Sequence, residues 1–160
     1  MEGRRRCAVL GATKGGALAA EAVVFFDPAR AAYMAERRKR AGHLLSKHRY
    51  IAVQLEAYCA DGLWLRLARH ANAMADRLAA GLAGLGIEPV WPVEANELFV
   101  ALPVATDARL RSAGAVYCPW NSNALPGPIS ADTVLVRLVT SFATTAEEVD
   151  RFIATAAAPR

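Results

Sequence analysis

Three observations predict an α/β fold. Two apolar, β-branched runs, residues 20–26 and 133–142, read as buried strands. A long stretch, residues 63–85, repeats apolar side chains at helical spacing. Around these, strand-like and helical segments alternate, which is the pattern of helices laid on a sheet.

Taken in order, residues 1–8 carry no capping or periodic signal and read as a ragged start. Residues 9–16 contain Gly11-Ala12-Thr13-Lys14-Gly15-Gly16, a turn in which glycines allow close backbone approach. After the strand at 20–26, Asp27-Pro28 predicts the start of a helix over 29–41, because proline suits a first helical turn. Gly42 interrupts it, and a second helix is predicted over 44–59 with Leu44, Ile51, Leu55 and Tyr58 on one face. Asp61-Gly62 closes that helix. Over 63–85, Leu67, Ala71, Met74, Leu78, Leu82 and Leu85 form a continuous stripe, and Gly86 is the C-terminal cap. His70 reads as a surface or capping histidine.

Beyond Gly86 the texture changes to shorter pieces. Residues 87–93 hold Pro89 and Pro92 and suit an edge strand. Strands are predicted at 97–102, 115–120 and 133–142, a short helix at 106–113, and an Asn-, Ser-, Pro- and Gly-rich loop at 121–132. Thr144 is expected to cap the last helix with Glu147 three residues on, turning Val149, Phe152 and Ile153 inward. Residues 63–157 thus form a small, self-contained α/β domain. Residues 9–62 hold one strand and two helices, with no partner for 20–26 nearby. A strand that apolar is normally covered on both faces in a parallel sheet. The chain therefore reads as the C-terminal part of a larger protein.

With 54% hydrophobic and 21% charged residues, the chain has a globular composition. No apolar run approaches the ~20 residues that cross a bilayer, and no apolar core with a cleavage site follows the basic start, so neither membrane nor secretion is expected. Cys7, Cys59 and Cys118 are widely spaced and lack CxxC pairing. That argues for reduced thiols in the cytoplasm and against a zinc site or disulfide framework. The net charge of +4 concentrates in residues 4–6, in 36–40, and in Lys47, His48 and Arg49. Neither a nucleic-acid motif nor interleaved aromatic platforms accompany it, so a solvated helix face or a small anion site is the reading.

Two residues carry chemistry. Lys14 is either an exposed loop lysine or, if partly desolvated, an amine able to form a Schiff base with an aldehyde. Arg137 interrupts the apolar run 133–142. It is either a salt-bridged or snorkelling side chain, or a guanidinium that grips a carboxylate with two parallel hydrogen bonds.

The segments Gly11-Ala12-Thr13-Lys14, Ala19-Ala20-Glu21-Ala22-Val23-Val24-Phe25-Phe26, Arg37-Arg38-Lys39-Arg40-Ala41-Gly42-His43 and Ser46-Lys47 come first. Gly62-Leu63-Trp64, Ala68-Arg69-His70-Ala71-Asn72, Val93-Glu94-Ala95-Asn96-Glu97 and Val136-Arg137-Leu138-Val139-Thr140-Ser141-Phe142 follow. In this order, over residues 9–153, the chain resembles the C-terminal half of the low-specificity L-threonine aldolases. These are pyridoxal-phosphate enzymes of the aspartate-aminotransferase-like fold, fold type I.

The resemblance implies that Lys14 holds pyridoxal phosphate as a Schiff base, with Thr13, Lys39 and Lys47 as further cofactor contacts, and that Arg137 binds the substrate carboxylate. It implies cleavage of L-threonine, L-allo-threonine or other β-hydroxy-α-amino acids to glycine and an aldehyde, in a homo-oligomer (dimer or tetramer). A phenylserine aldolase and a non-catalytic α/β fragment are the alternatives. The family has Asn after the lysine where this chain has Gly15, and Ser-Phe where it has Val9-Leu10. Residues 1–8 are unmatched, 9–62 correspond to a remnant of the large cofactor-binding domain, and 63–157 to the small domain. The family's first half, with its phosphate turn, aspartate and ring-stacking histidine, has no counterpart here, so little activity is expected of this chain alone.

Overall fold

Strand β1, Cys7–Gly11, pairs antiparallel with strand β2, Glu21–Phe25, placing Val9 opposite Val23. The computed structural model describes residues 6–121, 125, 127–128 and 130–158. It divides into two compact units, Met1–Arg66 and Leu67–Arg160.

In the first unit, the β1–β2 pair corrects the expectation of an unpartnered, parallel-type strand and takes Cys7 and Ala8 of the expected ragged start into β1, while residues 1–5 lie outside the described residues. Cys7 to Leu10 is apolar enough to extend, and pairing back on the next strand needs only a loop, not a crossover. Nor is β2 covered on both faces: Val9 is 70% exposed, and Val23, Val24 and Phe26 are also open. The joining loop is tied at its neck, where the Ala12 amide donates to the Ala20 carbonyl (2.9 Å) and the Gly15 and Ala17 amides donate to the Ala12 carbonyl (both 3.0 Å).

Asp27 accepts from the Ala29 amide (3.1 Å) and caps a 3-10 turn, Pro28–Ala31. The helix expected over 29–41 shrinks to α1, Met34–Arg40, because Tyr33 has a left-handed backbone (φ 59°) that breaks helical continuity. Helix α2, Arg49–Cys59, starts later than expected because Lys47 also has positive φ (57°). Of its proposed apolar face, Tyr58 is buried while Leu44, outside the helix, is half exposed. Asp61 and Gly62 reverse the chain before helix α3, Leu63–Ala83.

The second unit is a two-layer sandwich. Strands β3 (Glu97–Pro103), β4 (Cys118–Pro119) and β5 (Thr133–Val139) form an antiparallel sheet in the order β3-β5-β4. Alternate residues Leu98, Val100 and Leu102 of β3, with Val136 and Leu138 of β5, point into the core. They meet Ala75, Leu78 and Leu82 of α3, Leu110 of helix α4 (Val104–Ser112), and Val149 and Ala156 of helix α5 (Ala146–Ala157). Phe152 and Ile153 pack against this cluster as expected.

Two details of this unit differ from expectation. The edge strand at 87–93 is reduced to one bridge, Pro89 with Val100, since its prolines cannot donate to a ladder. The cap of α5 is Thr145 with Glu148 in a complete capping box, one residue later than expected. Thr144 is not free to cap, because its hydroxyl oxygen accepts from the Ser141 amide (2.9 Å). The expected loop at 121–132 lies partly outside the described residues, as do Arg4 and Arg5. No helix among the described residues is long and apolar enough to cross a membrane.

Candidate functional site

In the first unit, Lys14 stands in a 3-10 turn, Thr13–Gly15, at the tip of the β1–β2 connection. Gly16 follows with φ 126°, a conformation that side chains rarely adopt, so the glycine is required there. Lys14 is exposed and, among the described residues, takes part in no hydrogen bond or ion pair. The Thr13 hydroxyl donates to Glu21 Oε1 (3.2 Å). Gly11, directly across the ladder from Glu21, leaves room for that carboxylate: a Cβ on Gly11 would lie 2.8 Å from Glu21 Oε2.

Helix α2 props the loop from the side. Gln54 Oε1 accepts from the Leu18 amide (2.8 Å), and four residues on, Tyr58 occupies the space beside Gly15. A Cβ on Gly15 would overlap the Tyr58 hydroxyl. The glycine that stands where the resembled family has Asn is thus matched to a tyrosine on α2. Lys39 on α1 and Lys47 before α2 are both exposed, and no described hydrogen bond or ion pair joins either to the lysine turn. Sequence reasoning missed Glu21, Gln54 and Tyr58 as supports. The i, i+4 spacing of Gln54 and Tyr58 puts both on one face of α2 but does not say what that face meets.

In the second unit, Arg137 is the fifth of the seven residues of β5, the middle strand of the sheet, and is flanked directly by Phe99 of β3 and Cys118 of β4. It lies on the sheet face opposite the core. Its guanidinium carbon is 5.1 Å from the centre of the Trp120 ring, within cation–π range. Nη1 is 3.9 Å from Glu97 Oε2, a long ion pair without a hydrogen bond. Nε is buried and, among the described residues, has no acceptor. The Arg137 side chain is 37% exposed, so the buried salt bridge considered from sequence is not what forms.

Trp120 is itself fixed. Its amide donates to the Leu135 carbonyl (2.9 Å), and its ring packs at 5.3 Å on Phe99, which meets Trp91 edge-on at 5.2 Å. The ends of β3 and β5 are locked by Asn96 and Thr140. Asn96 Nδ2 donates to the Thr140 carbonyl (2.6 Å), and the Thr140 hydroxyl donates to the Ala71 carbonyl of α3 (2.7 Å). His70, exposed as its surface reading expects, has Nε2 2.7 Å from the Thr144 carbonyl, which lies before the N-cap of α5, so the contact caps no helix. No group of three or more potential metal ligands occurs among the described residues.

No family model matches the chain. By fold it matches part of the pyridoxal-phosphate fold type I, the aspartate-aminotransferase-like class. A structure of SPT with PLP is similar over 97% of this chain and 40% of that one, with a TM-score of 0.62 and 17% identity, a likeness of fold alone. Greater similarity is to threonine aldolases. The Leishmania major threonine aldolase structure matches 94% of this chain and 42% of its own, at 30% identity and a TM-score of 0.85. A low specificity L-threonine aldolase from a Pseudomonas species is 38% identical over 105 residues, 65% of this chain and 30% of that relative. The chain therefore resembles the low specificity L-threonine aldolases, as its sequence motifs imply, and spans about three tenths of that relative's length.

Proposed function

We propose that this chain carries the lysine and the carboxylate-binding arginine of a pyridoxal-phosphate-dependent aldolase. The reaction is cleavage of a β-hydroxy-α-amino acid such as threonine to glycine and an aldehyde. The observation that carries the proposal is the match to a threonine aldolase structure over 94% of the chain at 30% identity. The residues present fit the cofactor's chemical demands. Lys14 offers an exposed primary amine for the aldehyde carbon, and Lys39 and Lys47 offer cations for the phosphate. Thr13 is the remaining cofactor contact. Its hydroxyl is turned to Glu21, whose carboxylate opposes an anion at that point, so the phosphate relies on the lysines.

The cofactor, when bound, supplies the electron sink for the bond that breaks. Arg137 holds the amino acid's carboxylate through parallel N–H donors and so fixes the orientation of the amino acid. No residue of this chain is given the task of removing the hydroxyl proton. Because the chain spans three tenths of its relative, it is expected to show little aldolase activity by itself. The site works in a homo-oligomer, and three exposed free cysteines support a reducing, cytoplasmic setting. A phenylserine-type substrate is the nearest alternative.

Incubation with pyridoxal phosphate, borohydride reduction and peptide mapping test this reading. The chain has three lysines, so Lys39 and Lys47 serve as internal controls. Lys14 should carry most of the label, and Lys14→Arg should remove it. Equal labelling of all three lysines overturns the assignment, and no labelling at all favours a non-catalytic, partner-binding module.

A further inference from the structure

We infer that Trp120 is a positioning residue for Arg137, keeping the guanidinium from closing on Glu97 so that its donors stay available to a ligand carboxylate. The inference rests on the proposal that Arg137 binds a carboxylate. An arginine beside a partly exposed carboxylate normally closes into a short, hydrogen-bonded pair. Here the pair stays open at 3.9 Å while the guanidinium lies 5.1 Å from the Trp120 ring centre. The ring is pinned on two sides, by its backbone bond to Leu135 and by its packing on Phe99, so it is a fixed wall and not a mobile neighbour.

The cost of this arrangement shows at Nε, which is buried with no acceptor among the described residues. A buried donor left without a partner is unfavourable, and it marks a guanidinium held by the ring rather than by an ion pair. The aromatic wall therefore does two things. It offsets part of the arginine's lost hydration through the cation–π contact, and it competes with Glu97 for the guanidinium. Removing the ring lets Glu97 become an internal competitor for the ligand.

The test uses the full chain, labelled with nitrogen-15, with acetate as the probe and the Arg137 Nε–H resonance as the readout. In the wild type this resonance should move on acetate addition. Trp120→Leu keeps apolar bulk but loses the π face, and should weaken acetate binding roughly two- to fivefold, as an exposed cation–π contact implies. Trp120→Phe should stay within about twofold of wild type on the same grounds. Glu97→Gln should tighten binding by itself and restore it in the Trp120→Leu background. Because Glu97 is 45% exposed, that single variant folds and keeps the proposal testable if Trp120→Leu does not. Unchanged binding in Trp120→Leu, or no effect of Glu97→Gln, overturns the positioning role while leaving the carboxylate site standing. A wild-type resonance that ignores acetate removes the carboxylate site itself, and this inference with it.

Discussion

Tyr117 shows how one side chain couples burial to titration. Its hydroxyl donates to Asp107 Oδ1 (2.7 Å), and its ring lies 4.4 Å beneath the Arg111 guanidinium. Burial is the main reason its phenol is held well above the ordinary value of 10.0, followed by the hydrogen bond to Asp107 and that residue's charge, with Arg111 opposing. The neutral form is thus favoured in the folded state. Its contribution to stability is complete below about pH 10, where the phenol of the unfolded chain also keeps its proton. Above that pH the unfolded chain releases the proton first, so the contribution declines towards the raised folded value. Unfolding midpoints should fall above about pH 10, and Tyr117→Phe should remove that part of the decline. A Tyr117→Phe curve that matches the wild type at high pH counts against the coupling. At this same scale the sequence pointed to Lys14 and Arg137, because both break local composition. It offered no sign that Tyr58 fits against Gly15 or that Trp120 faces Arg137, since neither pairing follows from local spacing.

Among the elements, the α3–α5 packing rests on Gly81. A Cβ there would lie 2.8 Å from Ile153 Cγ1 and 3.3 Å from Cγ2, and would overlap Cδ1. Ile153 is β-branched and stiff, so it cannot swing away cheaply. Gly81→Ala gains about 0.5–1 kcal/mol of helix propensity but suffers overpacking of about 1–3 kcal/mol. The expected result is a net loss of about 1–2 kcal/mol, seen as a lower thermal midpoint. Ile153→Val in the Gly81→Ala background should recover part of it, and a midpoint at or above wild type would sink the packing argument. Helix α3 and strands β3 and β5 were legible because their apolar periodicity matches one buried face. The β1–β2 pair was not, because pairing depends on a partner across a loop. The cap of α5 slipped from Thr144 to Thr145 for a similar reason: the Ser141 amide claims the Thr144 hydroxyl.

At the scale of the whole molecule, burial is uneven. The fully buried large side chains Leu82, Leu98, Val100, Leu102, Leu110 and Val136 all belong to the Leu67–Arg160 unit. In the Met1–Arg66 unit, the buried hydrophobic residues among those described are Ala12, Ala20 and Tyr58. Local opening is easiest where few apolar contacts are lost. Amide exchange should therefore be slowest in β3 and β5 and about a hundredfold or more faster in β1 and β2, a gap of about 3 kcal/mol in opening free energy. Equal protection in both sheets would contradict this ranking.

The sequence by itself determined the α/β class, the main helices and strands of the second unit, the threonine-aldolase resemblance, and the two residues that stand out chemically. The class and the elements follow from periodicity and composition over short windows, where side chains three or four apart on a helix and two apart on a strand share one environment. The resemblance rests instead on matched segments such as Gly11–Lys14 and Val136–Phe142. Only the tertiary structure decided that β2 pairs antiparallel with β1, that Glu21, Gln54 and Tyr58 surround the lysine turn, and that Arg137 lies against Trp120 with its Nε unpartnered. Each of these depends on residues brought together from distant parts of the chain, and their closeness is a consequence of packing that no local pattern encodes.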